Sequence, residues 1–429
     1  MVGRTRVRQN DLVGSVGGKE SGVGSGLRWL VAVSLGIVLL ASAAGAAAPT
    51  ITEYRAGITS GSGPQWIAAG PDGNLWFTEF GGNSIGKITP AGVVTEYGAG
   101  ITARAGLAGI AAGPDGNLWF TERSGNRLGK ITPAGVVTEY SAGITAGSWP
   151  FGIAAGPDGN LWFTEQSGNR IGKITPAGVV TEYSAGITAG SGPGAIVAGP
   201  DGNLWFTETQ YPGDRVGKIT PAGVVTEYRR GITASGFPFD IVAGPDGNLW
   251  FTEQSGNRIG KITPAGVVTE FSAGRVGYPL GIAAGPDGNL WFTKVEPDRI
   301  GKITPAGLVT VYRAGITAGS RPFEIAAGPD GNIWFTEDDD RVGKITPAGT
   351  EVTVAVTVKG KGRITGGGIS CPARCKATIA SGAKLTLRAR AARGYRFAGW
   401  SGACTGIHAC TLHPKAAVKI TATFRKRHS

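Results

Sequence analysis

Short apolar runs separated by turn residues follow one another along most of the chain, and the same four runs recur in every copy of a repeat. In the third copy they are PFGIAAGP (150–157), LWFTE (161–165), IGKIT (171–175) and VVTEY (179–183). Gly, Pro, Asp and Asn stand between them, where reversals of the chain need a positive or preset φ. Runs of this length predict β-strands. The consecutive residues Leu-Trp-Phe indicate that the second strand is covered on both faces.

The repeat occurs seven times and is counted best by its tryptophan. Successive tryptophans are 43, 43, 43, 45, 41 and 43 residues apart. The seven are Trp76, Trp119, Trp162, Trp205, Trp250, Trp291 and Trp334. A period of about 40–45 residues with four strand-like runs is typical of one blade of a β-propeller. The sequence therefore predicts an all-β fold, a seven-bladed β-propeller with four strands per blade.

A single strand precedes the first full blade. Residues 51–59, ITEYRAGIT, match the fourth strand and following loop of a blade, whereas the seventh repeat drifts in sequence after ITPAG at 345–349. We expect residues 51–54 to complete the seventh blade, because closure of the ring removes the exposed strand edges of an open array. The alternative is that residues 351–354 take that place.

Residues 1–46 have the features of a signal peptide. Five basic residues precede an apolar run over 29–40, and small residues follow with an Ala-x-Ala site at 44–46. An uncleaved anchor is the alternative, because the basic region is long. Both interpretations predict a bacterial protein that is secreted or at the cell surface. The domains expected after the leader are a propeller over 47–350 and a small β domain over 351–429.

The two expected domains differ in charge and in cysteine content. Residues 47–350 carry 22 basic and 27 acidic residues, whereas 351–429 carry 15 basic residues and one acidic residue. All four cysteines lie in this basic tail, and an even, clustered number in an exported chain predicts two disulfides. The favoured pairing among three is Cys371–Cys375 with Cys404–Cys410. A zinc site that uses His408 or His413 is the alternative.

Two repeated segments are distinctive enough to compare with known families. They are GPDGNLWFTE at 70–79 and NRIGKITPAGVVTEY at 169–183, with their counterparts in the other copies. They resemble the repeats of the virginiamycin B lyase (streptogramin B lyase) family over residues 50–350. The resemblance implies a seven-bladed propeller that opens a cyclic depsipeptide at its ester by elimination, aided by magnesium. It also implies that the chemistry lies where the blades begin, in the pattern P-x-x-I.

The residues that the resemblance implies for catalysis are replaced in this chain. Leu280 and Phe323 stand where the family carries histidine in the sixth and seventh blades. Arg321 stands at a glutamate position and Gln65 at a tyrosine position, and only Asp338 is a stand-in for the last acid of the family. Elimination needs a base and an acid, roles that suit histidine near neutral pH. Residues 47–350 contain no histidine.

Positions at which the repeat varies are the candidates for a binding site at the mouth of the propeller. At the third position of P-x-x-I four blades carry Gly or Ala, which predicts an open mouth, and three carry larger residues. An aromatic residue and carboxylates at a concave mouth indicate ligand or metal binding, with solvated surface as the alternative. The predicted ligand-binding residues are Gln65, Trp66, Asp240, Glu324 and Lys294.

Carboxylates would have to carry any remaining chemistry in the propeller. The candidates for catalysis are Asp338, Glu324 and Asp240. A Mg²⁺ or Ca²⁺ ion, which prefers oxygen ligands, would be held by Glu324, Glu337 and Asp338.

The glutamate that ends LWFTE recurs in six blades, and Lys294 replaces it in the sixth. Up-and-down strands place this row at the mouth. It predicts either local ion pairs with the arginine of the following NR, as at Arg127, Arg170 and Arg258, or an acidic mouth that binds a cation.

The tail resembles the divergent internalin-B-type repeat of bacterial surface proteins over residues 352–424, most specifically in GWSGAC at 399–404. This resemblance implies a small β module for attachment or spacing without enzyme activity. Alternation in KLTLRARA (384–391) predicts one apolar and one basic face. The predicted polyanion-binding residues are Lys384, Arg388, Arg390, Arg425, Lys426 and Arg427. A solvated charged surface and docking on the acidic propeller are the alternatives.

We therefore hypothesise an exported, monomeric, non-catalytic binding or surface-interaction protein. Its expected partners are a small-molecule or peptide ligand at the mouth and an anionic cell-wall polymer or membrane surface at the tail; intracellular nucleic acid is not expected. A metal-dependent carbon–oxygen lyase is the first alternative, and a propeller hydrolase or lactonase is the second.

Overall fold

The computed structural model describes residues 49–210, 213–275, 277–347, 351–380, 384–412, 414 and 417–427. The predicted signal peptide and His413 lie outside the described residues. Within these ranges the regular structure consists of 36 β-strands. No helix in them is long and apolar enough to cross a membrane.

The propeller consists of seven four-stranded antiparallel sheets. The first strands are β2 (Pro64–Ala69), β6 (Leu107–Ala112), β10 (Pro150–Ala155), β14 (Pro193–Ala198), β18 (Pro238–Ala243), β22 (Tyr278–Ala284) and β26 (Pro322–Ala327). The second strands are β3 (Leu75–Glu79), β7 (Leu118–Glu122), β11 (Leu161–Glu165), β15 (Leu204–Glu208), β19 (Leu249–Glu253), β23 (Leu290–Val295) and β27 (Ile333–Glu337).

The third strands are β4 (Ser84–Ile88), β8 (Arg127–Ile131), β12 (Arg170–Ile174), β16 (Arg215–Ile219), β20 (Arg258–Ile262), β24 (Arg299–Ile303) and β28 (Arg341–Thr346). The fourth strands are β5 (Val94–Tyr97), β9 (Val137–Tyr140), β13 (Val180–Tyr183), β17 (Val225–Tyr228), β21 (Val268–Ser272), β25 (Val309–Tyr312) and β1 (Thr50–Tyr54). Each first strand contacts those of the two neighbouring blades, so the first strands surround the propeller axis.

The N-terminal strand closes the ring, as predicted. β1 pairs antiparallel with β28, with Thr50 opposite Thr346 and Tyr54 opposite Val342. The alternative for residues 351–354 is wrong, because they lie in a tail strand that pairs within the tail. Blade seven therefore has four strands like the other blades, with β1 as its outer strand.

The repeated motif holds each blade together and packs it against the next, since Trp162 of blade three shares a buried cluster with Leu204 and Phe206 of blade four. In blade three every residue of β11 is buried, and the Trp162 indole donates to Asp158 Oδ1 at 3.0 Å. The Lys173 ammonium lies 5.1 Å from the Trp162 ring centroid, and Tyr183 stacks on that ring at 5.5 Å. An aromatic pair of this kind contributes about 1 kcal/mol beyond burial. Asp158 also accepts from the backbone N–H of Asn160, which confirms the predicted turn.

The tail forms two further four-stranded sheets, in the orders β32-β29-β36-β34 and β31-β30-β33-β35. Their strands are β29 (Glu351–Lys359), β30 (Gly362–Gly366), β31 (Ile369–Cys371), β32 (Lys376–Ala380), β33 (Leu385–Ala391), β34 (Tyr395–Gly402), β35 (Cys410–Leu412) and β36 (Val418–Lys426). Leu387, Trp400 and Phe424 belong to one buried cluster. The predicted disulfides Cys371–Cys375 and Cys404–Cys410 are both present, so the zinc alternative is wrong.

Candidate ligand-binding site at the propeller mouth

The mouth is the end of the propeller at which each first strand begins and each second strand ends. In blade three this juxtaposition is fixed by register, with Pro150 opposite Glu165. A cavity of about 450 Å³ opens there. Two positions of the repeat supply most of its wall.

The first of these positions is the second residue of P-x-x-I, or of its variant L-x-x-I, in each first strand. Its cavity-lining members are Gln65, Phe151, Phe239, Leu280 and Phe323. The second position follows the last residue of LWFTE or its variant. Its cavity-lining members are Phe80, Arg123, Gln166, Gln254, Val295 and Asp338. The remaining lining residues are Tyr278, Glu296 and Arg321.

Aromatic side chains form the floor of the cavity. Phe239 and Phe323 meet edge to face with ring centroids 6.0 Å apart. Beneath them Trp66 meets Phe151 edge to face at 5.4 Å and stacks on Phe239 at 6.5 Å. These residues belong to blades one, three, five and seven, so their side chains meet across the axis. The cavity therefore offers an apolar floor with a few polar groups around it, which suits an amphipathic ligand.

Three of the predicted ligand-binding residues lie below the cavity rather than in its wall. Trp66, Asp240 and Glu324 are only 9%, 6% and 4% exposed. The prediction that small residues at this position open the mouth is wrong. A Cβ on Gly109 would lie 2.6 Å from the carbonyl oxygen of Phe151 in the next blade. The residues there are small because the first strands approach one another closely.

Asp240 and Glu324 form a buried pair of carboxyl groups. Asp240 accepts the backbone N–H groups of Ile241 at 2.8 Å and Ile282 at 2.7 Å, and Glu324 accepts that of Ile325 at 3.0 Å. Burial raises the pKa of Asp240 to about 6. Burial, and then the charge of Asp240, raise the pKa of Glu324 well above its usual range. Asp240 is therefore the anionic partner, because it has two backbone donors, and Glu324 holds the proton.

The predicted metal ligands are not brought together. Glu324 belongs to the axial pair, Glu337 is fully buried and accepts from the Ser320 hydroxyl, and Asp338 lies 3.5 Å from the Arg321 guanidinium. Among the residues with described positions, no group of three or more His, Cys, Asp and Glu could hold a metal ion. An arginine beside Asp338 opposes a second cation there. These residues do not fit the magnesium that the family resemblance implies.

The row of glutamates at the ends of the second strands is buried, so it does not form an acidic mouth. Glu79, Glu122, Glu165, Glu208, Glu253 and Glu337 are all fully buried. Burial raises the pKa of Glu122 to about 8 and that of Glu253 to about 9, and the nearby fourth-strand glutamate adds to both effects. Below these pKa values the carboxyls are protonated and neutral.

The arginines expected to pair with this row instead pair with the fourth-strand glutamates. Arg127 lies 3.4 Å from Glu139 and Arg258 lies 3.5 Å from Glu270. In blade four Arg215 reaches both kinds of partner, at 3.8 Å from Glu208 and 3.5 Å from Glu227. An ion pair with the second-strand glutamate is therefore present in blade four. In blades two and five the arginine pairs with the fourth-strand glutamate instead.

Lys294 is also fully buried, so the predicted contact with a ligand is not available to it. Its ammonium donates to Asn257 Oδ1 at 3.0 Å and to the carbonyl oxygens of Ala273 at 2.9 Å and Arg275 at 2.8 Å. Burial lowers the pKa of Lys294 to about 8. Its three acceptors occupy all three of its donors.

Sequence reasoning identified Gln65 in the cavity wall but missed most of the residues around it. The position after the end of LWFTE holds a different kind of side chain in almost every blade, and that variation was the available signal. Together with Phe151 and Phe239, this position supplies aromatic, cationic and amide groups to the wall. Asp338 is the one predicted catalytic candidate that lines the cavity, and it is paired with Arg321.

The predicted polyanion-binding residues fall on both sheets of the tail. Arg388 and Arg390 are exposed on β33, and Lys384 precedes it. The second group is at the end of β36, namely Arg425, Lys426 and Arg427. The structure adds Arg363, which lies directly opposite Arg390 on β30.

Comparisons with known proteins agree with this architecture. The sequence profile of the virginiamycin B lyase family matches residues 49–273 and 150–361, and that of the divergent InlB B-repeat domain matches residues 352–428. No curated protein sequence matches the chain significantly.

Three solved structures are similar to the propeller. A virginiamycin B lyase from Staphylococcus aureus is 37% identical, with a TM-score of 0.64, over 70% of this chain and 99% of its own. A streptogramin B lyase is 34% identical, with a TM-score of 0.65, over 70% and 98%. A catalytically inactive variant of the Staphylococcus aureus enzyme with quinupristin is 37% identical, with a TM-score of 0.63, over 69% and 99%.

Proposed function

This chain belongs to the virginiamycin B lyase family, and we propose that its propeller binds an amphipathic aromatic ligand at the mouth without opening it. The observation that carries the proposal is the pair Leu280 and Phe323. They stand where the family resemblance places histidines, and both line the cavity. Apolar side chains therefore occupy the positions at which the family resemblance places the acid and the base.

The rest of the mouth supports binding rather than proton transfer. Asp338 faces the cavity, but its carboxylate is held by the Arg321 guanidinium at 3.5 Å. Burial raises the pKa of Asp338, and the charge of Arg321 opposes that rise. The axial carboxyls of Asp240 and Glu324 are buried beneath the aromatic floor and do not line the cavity. The wall also holds the carboxylate of Glu296, but residues 47–350 contain no histidine, and a lyase or a hydrolase needs a general acid as well as a base within reach of the ligand.

The ligand class follows from the wall and from one relative. Aromatic rings supply apolar area, and Gln65, Gln166 and Gln254 supply amide donors and acceptors at the rim. The inactive relative was crystallised with quinupristin. A peptide-like ligand with aromatic groups therefore suits this mouth, and quinupristin is the probe of choice.

Calorimetric titration with quinupristin tests the binding. We expect saturable binding to the wild-type protein and about a tenfold loss in Phe323→Ala, because truncation removes part of the aromatic floor. Val93→Ala is the matched control, since Val93 is exposed outside the cavity, and it should bind like the wild type. Absence of binding to the wild-type protein would overturn the proposal.

We also propose that the protein is exported and that its tail binds an anionic polymer of the cell surface. Arg363 and Arg390 lie opposite each other, with Arg388 opposite Thr365 on the same pair of strands. Like charges in this arrangement destabilise a sheet, and a bound polyanion relieves the repulsion. Residues 351–429 contain a single acidic residue that could relieve it internally.

Binding of long-chain polyphosphate at increasing salt tests the tail. We expect the affinity to fall steeply with salt and to fall further in a triple variant, Arg363→Gln with Arg388→Gln and Arg390→Gln. The matched control replaces Arg425, Lys426 and Arg427 by glutamine on the other sheet. Wild-type protein that fails to bind at low salt would refute this role.

A further inference from the structure

Arg123 stands in the cavity wall between two aromatic rings. Its guanidinium carbon lies 4.5 Å from the centroid of Trp149 and 5.8 Å from that of Phe151. Stacking of a guanidinium on aromatic faces leaves the N–H groups at its edge free to donate. The side chain therefore has a fixed orientation and an unused donor edge.

No acidic group neutralises Arg123 within the described part of the chain. No carboxylate oxygen lies within 4.0 Å of its nitrogens, and its guanidinium donates to no other described residue. Arg321, the other arginine of the cavity, is paired with Asp338 at 3.5 Å. The cavity thus has one arginine with an internal partner and one without.

The ring that covers Arg123 stands at a position with a positive φ, where three other blades use glycine. Trp149 has a φ of 59°, and the equivalent residues Gly63, Gly106 and Gly192 have φ values of 58°, 64° and 60°. Phe237 and Arg321 occupy the same position in blades five and seven, with φ values of 53° and 55°. A bulky residue in this region is strained and persists when its surroundings enforce it. The Trp149 N–H donates to Asn126 Oδ1 at 3.4 Å, and its carbonyl accepts from the Gln166 N–H at 3.1 Å. Trp149 is 42% exposed, so core packing does not explain its strained position.

We propose that Arg123, clamped by Trp149 and Phe151, binds the carboxylate of a linear aromatic peptide acid in the mouth. This inference rests on the proposed function, because it names the ligand class of the same cavity. Charge-assisted, bidentate hydrogen bonds from arginine to a carboxylate are among the stronger polar contacts in binding sites. The apolar floor of Phe239 and Phe323 takes the aromatic side chains of the same ligand.

The charges of the wall fix the orientation of the ligand. Glu296 lines the opposite side of the cavity, in blade six, and no cation lies within 4.0 Å of it among the described residues. Blades two and six are three places apart in a ring of seven, which is the largest separation available. The carboxylate therefore lies on the blade-two side, and a cationic amine of the ligand lies toward Glu296.

The test compares two forms of one probe by calorimetry at neutral pH. Quinupristin opened at its ester by alkaline hydrolysis supplies the linear acid, and the methyl amide of that acid removes only the charge. We expect the wild-type protein to bind the acid about tenfold more tightly than the amide, from a charge-assisted contact. Arg123→Gln should bind the two forms equally, and Trp149→Gly should reduce the preference to an intermediate ratio.

Both substitutions use residues that the chain itself places at these positions. Gln166 and Gln254 stand where blade two carries Arg123, and Gly106 stands where blade three carries Trp149. Arg104→Gln removes the same charge from an exposed loop residue that does not line the cavity, and it should keep the full preference for the acid.

Equal binding of acid and amide to the wild type would overturn the role of Arg123 while leaving the proposed function intact, because both forms would still bind. An acid preference that survives in Arg123→Gln would overturn it as well. Failure of cyclic quinupristin to bind the wild-type protein would instead defeat the proposed function itself.

Discussion

Blades five and six are neighbours in the ring, yet one buries an acidic and the other a basic side chain at the same position. Glu253 of blade five and Lys294 of blade six each follow Leu-Trp-Phe-Thr, and both are fully buried. Burial raises the pKa of Glu253 to about 9 and lowers the pKa of Lys294 to about 8. Burial thus opposes the charged form in both blades.

The surroundings of this position change together with its charge. In blade five the fourth-strand Glu270 accepts from the backbone N–H and the hydroxyl of Thr233. In blade six Val311 takes the place of that glutamate, and the loop before the blade is shorter by two residues than in most copies. The carbonyl oxygens of Ala273 and Arg275, which belong to the shortened loop, then accept from Lys294. This buried position therefore holds either a glutamate beside a fourth-strand glutamate or a lysine bound by loop carbonyl oxygens. Its role is structural, and other residues line the mouth.

Replacing the lysine of blade six by the residue of the other blades tests this comparison most severely. In Lys294→Glu a carboxylate would face three oxygen acceptors, and we expect a loss of about 3 kcal/mol or more in the free energy of unfolding. Urea denaturation at neutral pH measures it. Lys294→Gln, which retains two donors, is the control and should lose less. If the unfolding free energy of Lys294→Glu lies within about 1 kcal/mol of the wild type, the size of an ordinary substitution effect, this account of Lys294 is contradicted.

The pH dependence of stability is the second test, and its sign follows from the raised pKa values. The folded-state pKa of the six glutamates lies at about 7 for Glu79 and up to about 9 for Glu253, against an unfolded value near 4.5. The folded state therefore binds more protons between these values. Their contribution is fully present below about pH 4.5 and is lost as the pH rises through 7 to 9.

We expect the propeller to lose about 2 kcal/mol or more of unfolding free energy between pH 5 and pH 8. Thermal unfolding at fixed ionic strength across this range measures the effect. A stability that rises from pH 5 to pH 8 would show that the buried glutamates are ionised in the folded protein.

The smallest effect on stability is expected when one buried glutamate is replaced by glutamine. Glu122→Gln mimics the protonated acid, so its stability should match that of the wild type at pH 5 to within about 0.5 kcal/mol and exceed it at pH 8. Glu139→Gln is the control from the same blade. Glu139 accepts from Thr102 and pairs with Arg127, so its loss should destabilise the protein at both pH values. A Glu122→Gln protein that is less stable at pH 8 would count against a neutral Glu122.

The order of strands and the closure of the ring could be predicted, because turn residues and apolar runs repeat with nearly constant spacing. The disulfides could be predicted because the cysteines are few and close in sequence. The lining of the mouth was misplaced by one residue. Each first strand has an irregular register near its start, as between Pro150 and Ile153, and a β-bulge changes which side chains share a face. The sequence analysis chose the third position of P-x-x-I because it varies between blades, which gave Trp66 and Asp240, whereas Phe151 and Phe239 at the second position line the cavity.

The burial of Lys294 could not be predicted for a different reason. Its acceptors are two backbone carbonyl oxygens and the side chain of Asn257, none of which has a signature at a fixed distance in the sequence. The sequence predicts a ligand contact at the charge that breaks the repeat, whereas in the structure three local acceptors bind the Lys294 ammonium.

The central claim is that the mouth binds a depsipeptide and leaves it intact, and product analysis tests it most directly. Quinupristin is incubated with the protein and magnesium and then separated by liquid chromatography with mass detection, with heat-denatured protein as the control. We predict unchanged quinupristin under conditions in which calorimetry shows it to be bound. A protein-dependent isomer of equal mass would reveal elimination, a product heavier by one water would reveal hydrolysis, and either would contradict the claim.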